Sequence, residues 1–386
     1  MLWGVPPRGA ATVPMPSRSF DCYVDIARSA ASNDAPALAA ALARLDDDPD
    51  QVLEALGRHT LIRLVLLTLP ELGAAGVPAP LAHRLDRWRA RRWVPALEYL
   101  QAFDQARGAL AARGVPVVLL KGPCFGERLY GGCDRRPMHD LDLLVPARRF
   151  GRARRALEQL GYQARGYDAH SRTLQRGDIA IDLHRSVRRA PAFRLDEGQL
   201  WRTLVETTVG GVPARTPSDE WTLVFLLMAA FEDLGQGSAK LRQLLDLALL
   251  LEGVDSVTDW EAFFDRRRGQ GLLEVAVNVL AVVEAVFEGR TAWPRLSAAL
   301  RARRRLVVEG RRDVLLALVW APRKDAASLA WFARVYPGRM ALYLAWFWYG
   351  GFPANLTQFS WRRLARSAQV AVRAGTSASP GRAGGH

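Results

Sequence analysis

The chain has 386 residues, 49% of them hydrophobic, enough to bury a full core and to hold two or three globular domains at roughly 100–200 residues each. No apolar run reaches the roughly 18 residues of a spanning helix, so no transmembrane segment is expected. The formal net charge is +14, yet only Lys121, Lys240 and Lys324 among the 53 basic residues are lysines, and the arginines are spread along the chain. That spread fits the residue bias of a GC-rich coding sequence better than a nucleic-acid surface and leaves RNA contact as a secondary reading.

Residues 1–19 hold too many prolines and too short an apolar run for a signal peptide, and read as a disordered tail. From 20 to 114 apolar residues recur at spacings of three and four, punctuated by Pro70, Pro78 and Pro80, which predicts an all-helical region. His59 sits alone on a mixed face of it and reads as structural. Cys22, Cys124 and Cys133 are odd in number and lack metal-ligand spacing, which favours a reducing, cytoplasmic setting. A reactive-thiol role for Cys124 lacks a histidine partner nearby.

The organising stretch is 115–146, VPVVLLKGPCFGERLYGGCDRRPMHDLDLLVP. Its apolar ends predict a strand, a tight turn, a short helix, a loop and a second strand. Asp140 and Asp142 lie two apart, so a strand would point both to one face. Paired acids repel unless a hard cation lies between them, so they are candidate metal ligands. Lys121 and Gly122 end the first strand and open the helix, where a phosphate would meet an ammonium, a bare backbone and a helix N-terminus. Arg135 and Arg136 precede the acidic strand, within reach of a triphosphate.

The segment after Pro146 predicts an amphipathic helix stopped by Gly161. Its Arg148, Arg149, Arg152, Arg154 and Arg155 read as a solvated face. Strands follow near 162 and 172, then GDIAIDLH at 177–184, which alternates and presents Asp182. If that strand lies beside the one carrying Asp140, three carboxylates converge on one or two Mg²⁺ ions and a triphosphate. His184 shares the face of Asp182 and either lines the site or simply holds the strand end in place; His139 points away from Asp140.

A strand ending in LLKG, a helix carrying LY, RPMHDLDLLV and a later IDLH strand together resemble the nucleotidyltransferase family proteins of the DNA polymerase β-like nucleotidyltransferase superfamily. The resemblance is strongest over about 114–185. It implies that Asp140 and Asp142 are the paired catalytic and metal-binding acids and Asp182 the third. Lys121 and Gly122 stand where the superfamily carries a glycine-serine turn, and Arg136 ranks above Arg135 as a nucleotide contact. The implied activity transfers a nucleoside monophosphate from a triphosphate, ATP being the expected one, to a small-molecule, peptide or protein acceptor, with two Mg²⁺ ions. Similar proteins favour a tailoring role in a biosynthetic cluster.

Downstream, 216–373 predicts a helical cap. Ser218 is placed to cap its first helix, with Asp219 and Glu220 in the first turn. By resemblance Asp246 matches within LLDLALLL, Lys240 and Arg242 approach the triphosphate tail, and Met228 and Glu232 stand where relatives carry histidines. The aromatic run 331–361 reads as a buried closing helix or a surface-contact segment. Residues 374–386 read as a second tail. The expected fold is thus α+β: a small mixed sheet over 115–215 between all-helical flanks. Two rival functions stay open, a kinase-like phosphotransferase at the same acids and a non-catalytic nucleotide- or partner-binding descendant.

Overall fold

The computed structural model describes residues 17–71, 76–90, 94–167, 171–187, 193–235, 237–320 and 326–336. Six helices lead: α1 (Ser17–Ala31), α2 (Ala35–Ala43), α3 (Pro49–Arg58), α4 (Ile62–Thr68), α5 (Ala79–Arg89) and α6 (Ala96–Ala111). Their starts are written locally. The Asp34 carboxylate accepts from the Ala37 amide at 3.0 Å and that of Asp48 from the Asp50 amide at 2.8 Å, each next to a proline in the first turn.

The central unit runs β1 (Val118–Leu119), α7 (Pro123–Tyr130), β2 (Leu141–Leu144), α8 (Phe150–Gln159), β3 (Gln163–Tyr167), β4 (Ser171–Arg176) and β5 (Ile179–His184). These strands form one mixed sheet in the order β1-β2-β5-β4-β3. Among the described residues only β2 and β5 run parallel. β2 is buried along its whole length, as befits a strand inside a sheet covered on both faces. β5 alternates, with Ile179, Ile181 and Leu183 in the core and Ala180 and Asp182 half-buried. α6 and α8 pack on each other, and α6 also meets β5. The buried side of α8 is Ala153, Ala156 and Leu157, which leaves Arg152 and Arg155 exposed, as is Arg148 in the turn before the helix.

A short helix, α9 (Glu197–Arg202), leads into a hairpin of β6 (Val205–Val209) and β7 (Val212–Thr216) that sequence reasoning passed over. The signal for it is local: β-branched residues flank the Gly210-Gly211 turn. The helical flank then holds α10 (Asp219–Gly235), α11 (Leu241–Val254), α12 (Trp260–Gln270), α13 (Leu273–Val286), α14 (Pro294–Ala302), α15 (Arg312–Trp320) and α16 (Ala326–Val335). α10 is buried nearly all round and packs on α11, α13 and α16. A helix without a polar face belongs in the middle of its layer. Among the described residues no helix is long and apolar enough to cross a membrane. The aromatic run beyond 336, the expected tail at 374–386 and residues 1–16 of the expected tail at 1–19 lie outside the described residues; 17–19 are not a tail but open α1.

Candidate active site

The register of the parallel pair builds the site. Asp142 on β2 lies directly opposite Asp182 on β5, and Leu144 opposite His184. With a side-chain period of two, Asp182 and His184 share a face, so the pairing delivers two carboxylates and an imidazole to one place. The ligand-capable atoms of Asp142, Asp182 and His184 all lie within 4.8 Å of one another. His184 Nε2 is 3.0 Å from Asp142 Oδ1, and both side chains are buried. The Lys121 ammonium is 3.5 Å from the same Asp142 oxygen.

Gly122 explains how Lys121 gets there. The backbone at Gly122 has φ +73° and ψ −123°, a conformation that residues with a Cβ avoid, and it caps α7. It turns the chain from β1 into α7 while the Leu120 amide still donates to the Asp142 carbonyl at 2.9 Å. One turn later Gly126 allows the following loop to lie against α7; a Cβ there would meet the Cys133 carbonyl oxygen at 2.8 Å. The loop that delivers Asp140 is thereby held on the helix.

Asp140 lies just before β2, half-buried and outside the close triad. Burial first, and then the neighbouring Asp142 charge, push its carboxyl up to about 6, against the pull of Lys121. Like charges gathered so closely favour a cation among them. The Asp182 Oδ1 atom is buried without a hydrogen-bond partner. An orphaned carboxylate oxygen beside a second carboxylate and an imidazole is a donor set that fits a divalent metal ion.

Arg136 does not join this group. Its guanidinium is buried and forms a bidentate pair with Asp246 on α11, Nε to Oδ1 at 3.0 Å and Nη2 to Oδ2 at 2.7 Å. The Nε–Nη2 edge is taken by Asp246 and the group is buried, so the side chain expected to reach a triphosphate is turned inward. Burial opposes the charge, but Asp246 holds the guanidinium above its usual value, and Arg136 in turn keeps the buried Asp246 carboxylate below its own. The Tyr130 hydroxyl donates to Asp246 Oδ1 at 2.7 Å, and Arg242 Nη1 stands 3.7 Å from Oδ2. Lys240 is exposed. Cys124 is buried and its thiol is pushed up to about 12 by that burial, which favours the protonated thiol at neutral pH.

A narrow pocket with about 30 Å³ of room opens on the site, lined by Lys121, Asp142 and His184 and walled by Val187, Phe225 and Met228. Sequence reasoning did not place Phe225 there. The wall is apolar where α10 faces the acids.

A mixed sheet whose inner parallel pair carries facing acids, set between helical layers, is an α+β nucleotidyltransferase architecture. The chain belongs to the family described as uncharacterised nucleotidyltransferases, whose model matches residues 46–288, and it is accordingly an enzyme of nucleotidyl transfer. No curated protein matches it in sequence. Among solved structures it is similar to the solution structure of ANT(2'')-Ia, an antibiotic-resistance factor, at 18% identity and TM-score 0.34, covering 54% of this chain and 98% of that one. It is also similar to ANT(2'')-Ia crystallised in complex with adenylyl-2''-tobramycin, at 20% identity and TM-score 0.29, covering 54% and 99%.

Proposed function

We propose that this transferase moves a nucleoside monophosphate from a triphosphate, ATP in the first instance, to a hydroxyl of a small-molecule, peptide or protein acceptor in the cytoplasm. The observation that carries the reading is the facing pair Asp142 and Asp182, with Lys121 and His184 gathered on the same Asp142 oxygen.

Asp140 and Asp142 would hold one Mg²⁺ ion with the triphosphate, and Asp142 and Asp182 a second. When bound, the ions neutralise charge on the departing pyrophosphate and make the acceptor hydroxyl more acidic. Lys121, and the backbone at Gly122 where α7 begins, would face the β- and γ-phosphates. In the reaction an acceptor O–Pα bond forms as the bond from Pα to the pyrophosphate oxygen breaks. Asp182 accepts the acceptor's proton and passes it to solvent. Arg136, engaged by Asp246, is a positioning residue that anchors the loop ending at Asp140.

The test is transfer of label. The protein is incubated with Mg²⁺, a desalted cell extract as acceptor source, and ATP carrying ³²P at either the α or the γ position. Label reaching an acceptor from the α position alone is expected. Label from the γ position alone would replace the reading with a kinase-like phosphotransferase, and no transfer from either would leave a binding protein.

A further inference from the structure

We propose that Asp142, Asp182 and His184 form a mixed carboxylate-imidazole site that takes a first-row transition ion, Mn²⁺ or Zn²⁺, in preference to Mg²⁺. The proposal rests on the reading of this site as a metal-dependent transfer centre and names the class of cation that the centre selects.

Three observations carry it. The first is spacing. With metal–ligand bonds of about 2.1 Å, neighbouring ligands of an octahedral shell lie about 3 Å apart and opposite ones about 4.2 Å. The 3.0 Å between Asp142 Oδ1 and His184 Nε2 already matches a neighbouring edge, and a small contraction brings the rest of the 4.8 Å group into a shell. The second is the orphaned Asp182 Oδ1, buried with no hydrogen-bond partner.

The third is rigidity and donor type. His184 is buried at the end of β5, an inner strand bonded on both sides, so its ring is delivered by the same backbone that delivers Asp182. It is no mobile surface histidine that a hard ion could ignore. Mg²⁺ demands oxygen ligands and parts reluctantly with its water, whereas an imidazole nitrogen suits the later first-row ions; two carboxylates with one imidazole suit Mn²⁺ or Zn²⁺. Lys121, on the same Asp142 oxygen at 3.5 Å, is long enough to swing toward a phosphate as the ion settles.

The test uses the full chain without nucleotide. Calorimetric titrations of MnCl₂, ZnCl₂ and MgCl₂ are expected to show one site that binds Mn²⁺ and Zn²⁺ at least about tenfold more tightly than Mg²⁺. Pulsed electron paramagnetic resonance of the Mn²⁺-loaded wild type is expected to show coupling to an imidazole nitrogen. His184→Asp, which makes an all-oxygen set, is expected to collapse the Mn²⁺-to-Mg²⁺ ratio. Equal affinities in the wild type, or no nitrogen coupling, would overturn the proposal without recourse to any variant. Binding of Mg·ATP is measured in parallel. Its absence alongside a preserved Mn²⁺ preference would sink the transfer reading and leave the metal site standing.

Discussion

Arg136 and Asp246, 110 residues apart, close a buried bidentate ion pair with Nη2 to Oδ2 at 2.7 Å, and Tyr130 donates to the same carboxylate. Tyr130 ends α7 and Arg136 lies in the loop before Asp140, so one side chain of α11 ties down the segment that begins at Gly122. Removing the acid strands a guanidinium in the interior. Asp246→Ala is expected to cost ~3–5 kcal/mol in denaturant unfolding. The double replacement Arg136→Met, Asp246→Leu should cost clearly less than Asp246→Ala, because the guanidinium in bidentate contact leaves with its acid and only the longer Arg242 contact at 3.7 Å is lost; an equal or greater cost would contradict this account of the pair.

Gly122→Ala tests the turn. At φ +73° the penalty is in the backbone, since the added Cβ would only reach ordinary contact with the Asp140 carbonyl oxygen at 3.6 Å. A loss of about 1–3 kcal/mol in thermal or chemical unfolding is expected. Weaker triphosphate binding should accompany it as Lys121 moves from Asp142. Unchanged stability would mean that the turn relaxes freely.

The pH dependence of the metal-free protein follows from Asp140. Its carboxyl is raised to about 6 by burial and by Asp142, above its unfolded value of 3.8. The protonated group therefore contributes stability below 3.8 that is lost as pH rises through about 6. Asp140→Asn should be more stable than the wild type at pH 7, with the difference shrinking toward pH 4. Added Mg²⁺ should stabilise the wild type more than the variant. Melting curves at both pH values, with and without the ion, check this, and a wild type that is the more stable at pH 7 without metal would oppose it.

His59 gives the opposite slope. Its Nδ1 accepts from the Leu241 amide at 3.1 Å, its ring lies against Trp320, and burial pushes its value down to about 3. The unfolded chain takes up this proton first, so the stability that neutral His59 contributes is present above about 6.5 and is lost as pH falls toward 3. His59→Gln can keep the acceptor for α11 without titrating. The variant should lose less stability than the wild type between pH 6.5 and 5, as followed by urea unfolding; parallel curves would refute the assignment.

How much of this was legible follows from the range of the interactions involved. The alternation around Asp182 and the LLKG turn are local signals, and they placed β5, Gly122 and α7. The pairing that makes the site is non-local: that β2 runs parallel to β5 with Asp142 facing Asp182 is a register between strands 40 residues apart, which periodicity poses as a condition and cannot decide. Arg136 looked like a phosphate ligand because its partner Asp246 lies on a helix far along the chain. Asp140 and Asp142 looked equivalent at a spacing of two, but the strand begins at Leu141, so Asp140 stays outside the regular pleat. The β6–β7 hairpin carries a local signal of its own, the double-glycine turn at Gly210-Gly211.

The most direct measurement is calorimetric titration of Mg·ATP into the wild type, Asp142→Asn and Asp182→Asn, each shown by circular dichroism to be folded. The account predicts metal-dependent binding to the wild type, with at least about tenfold weaker binding in either variant. Equal binding by all three, or binding indifferent to Mg²⁺, would contradict a nucleotide site built on the facing pair.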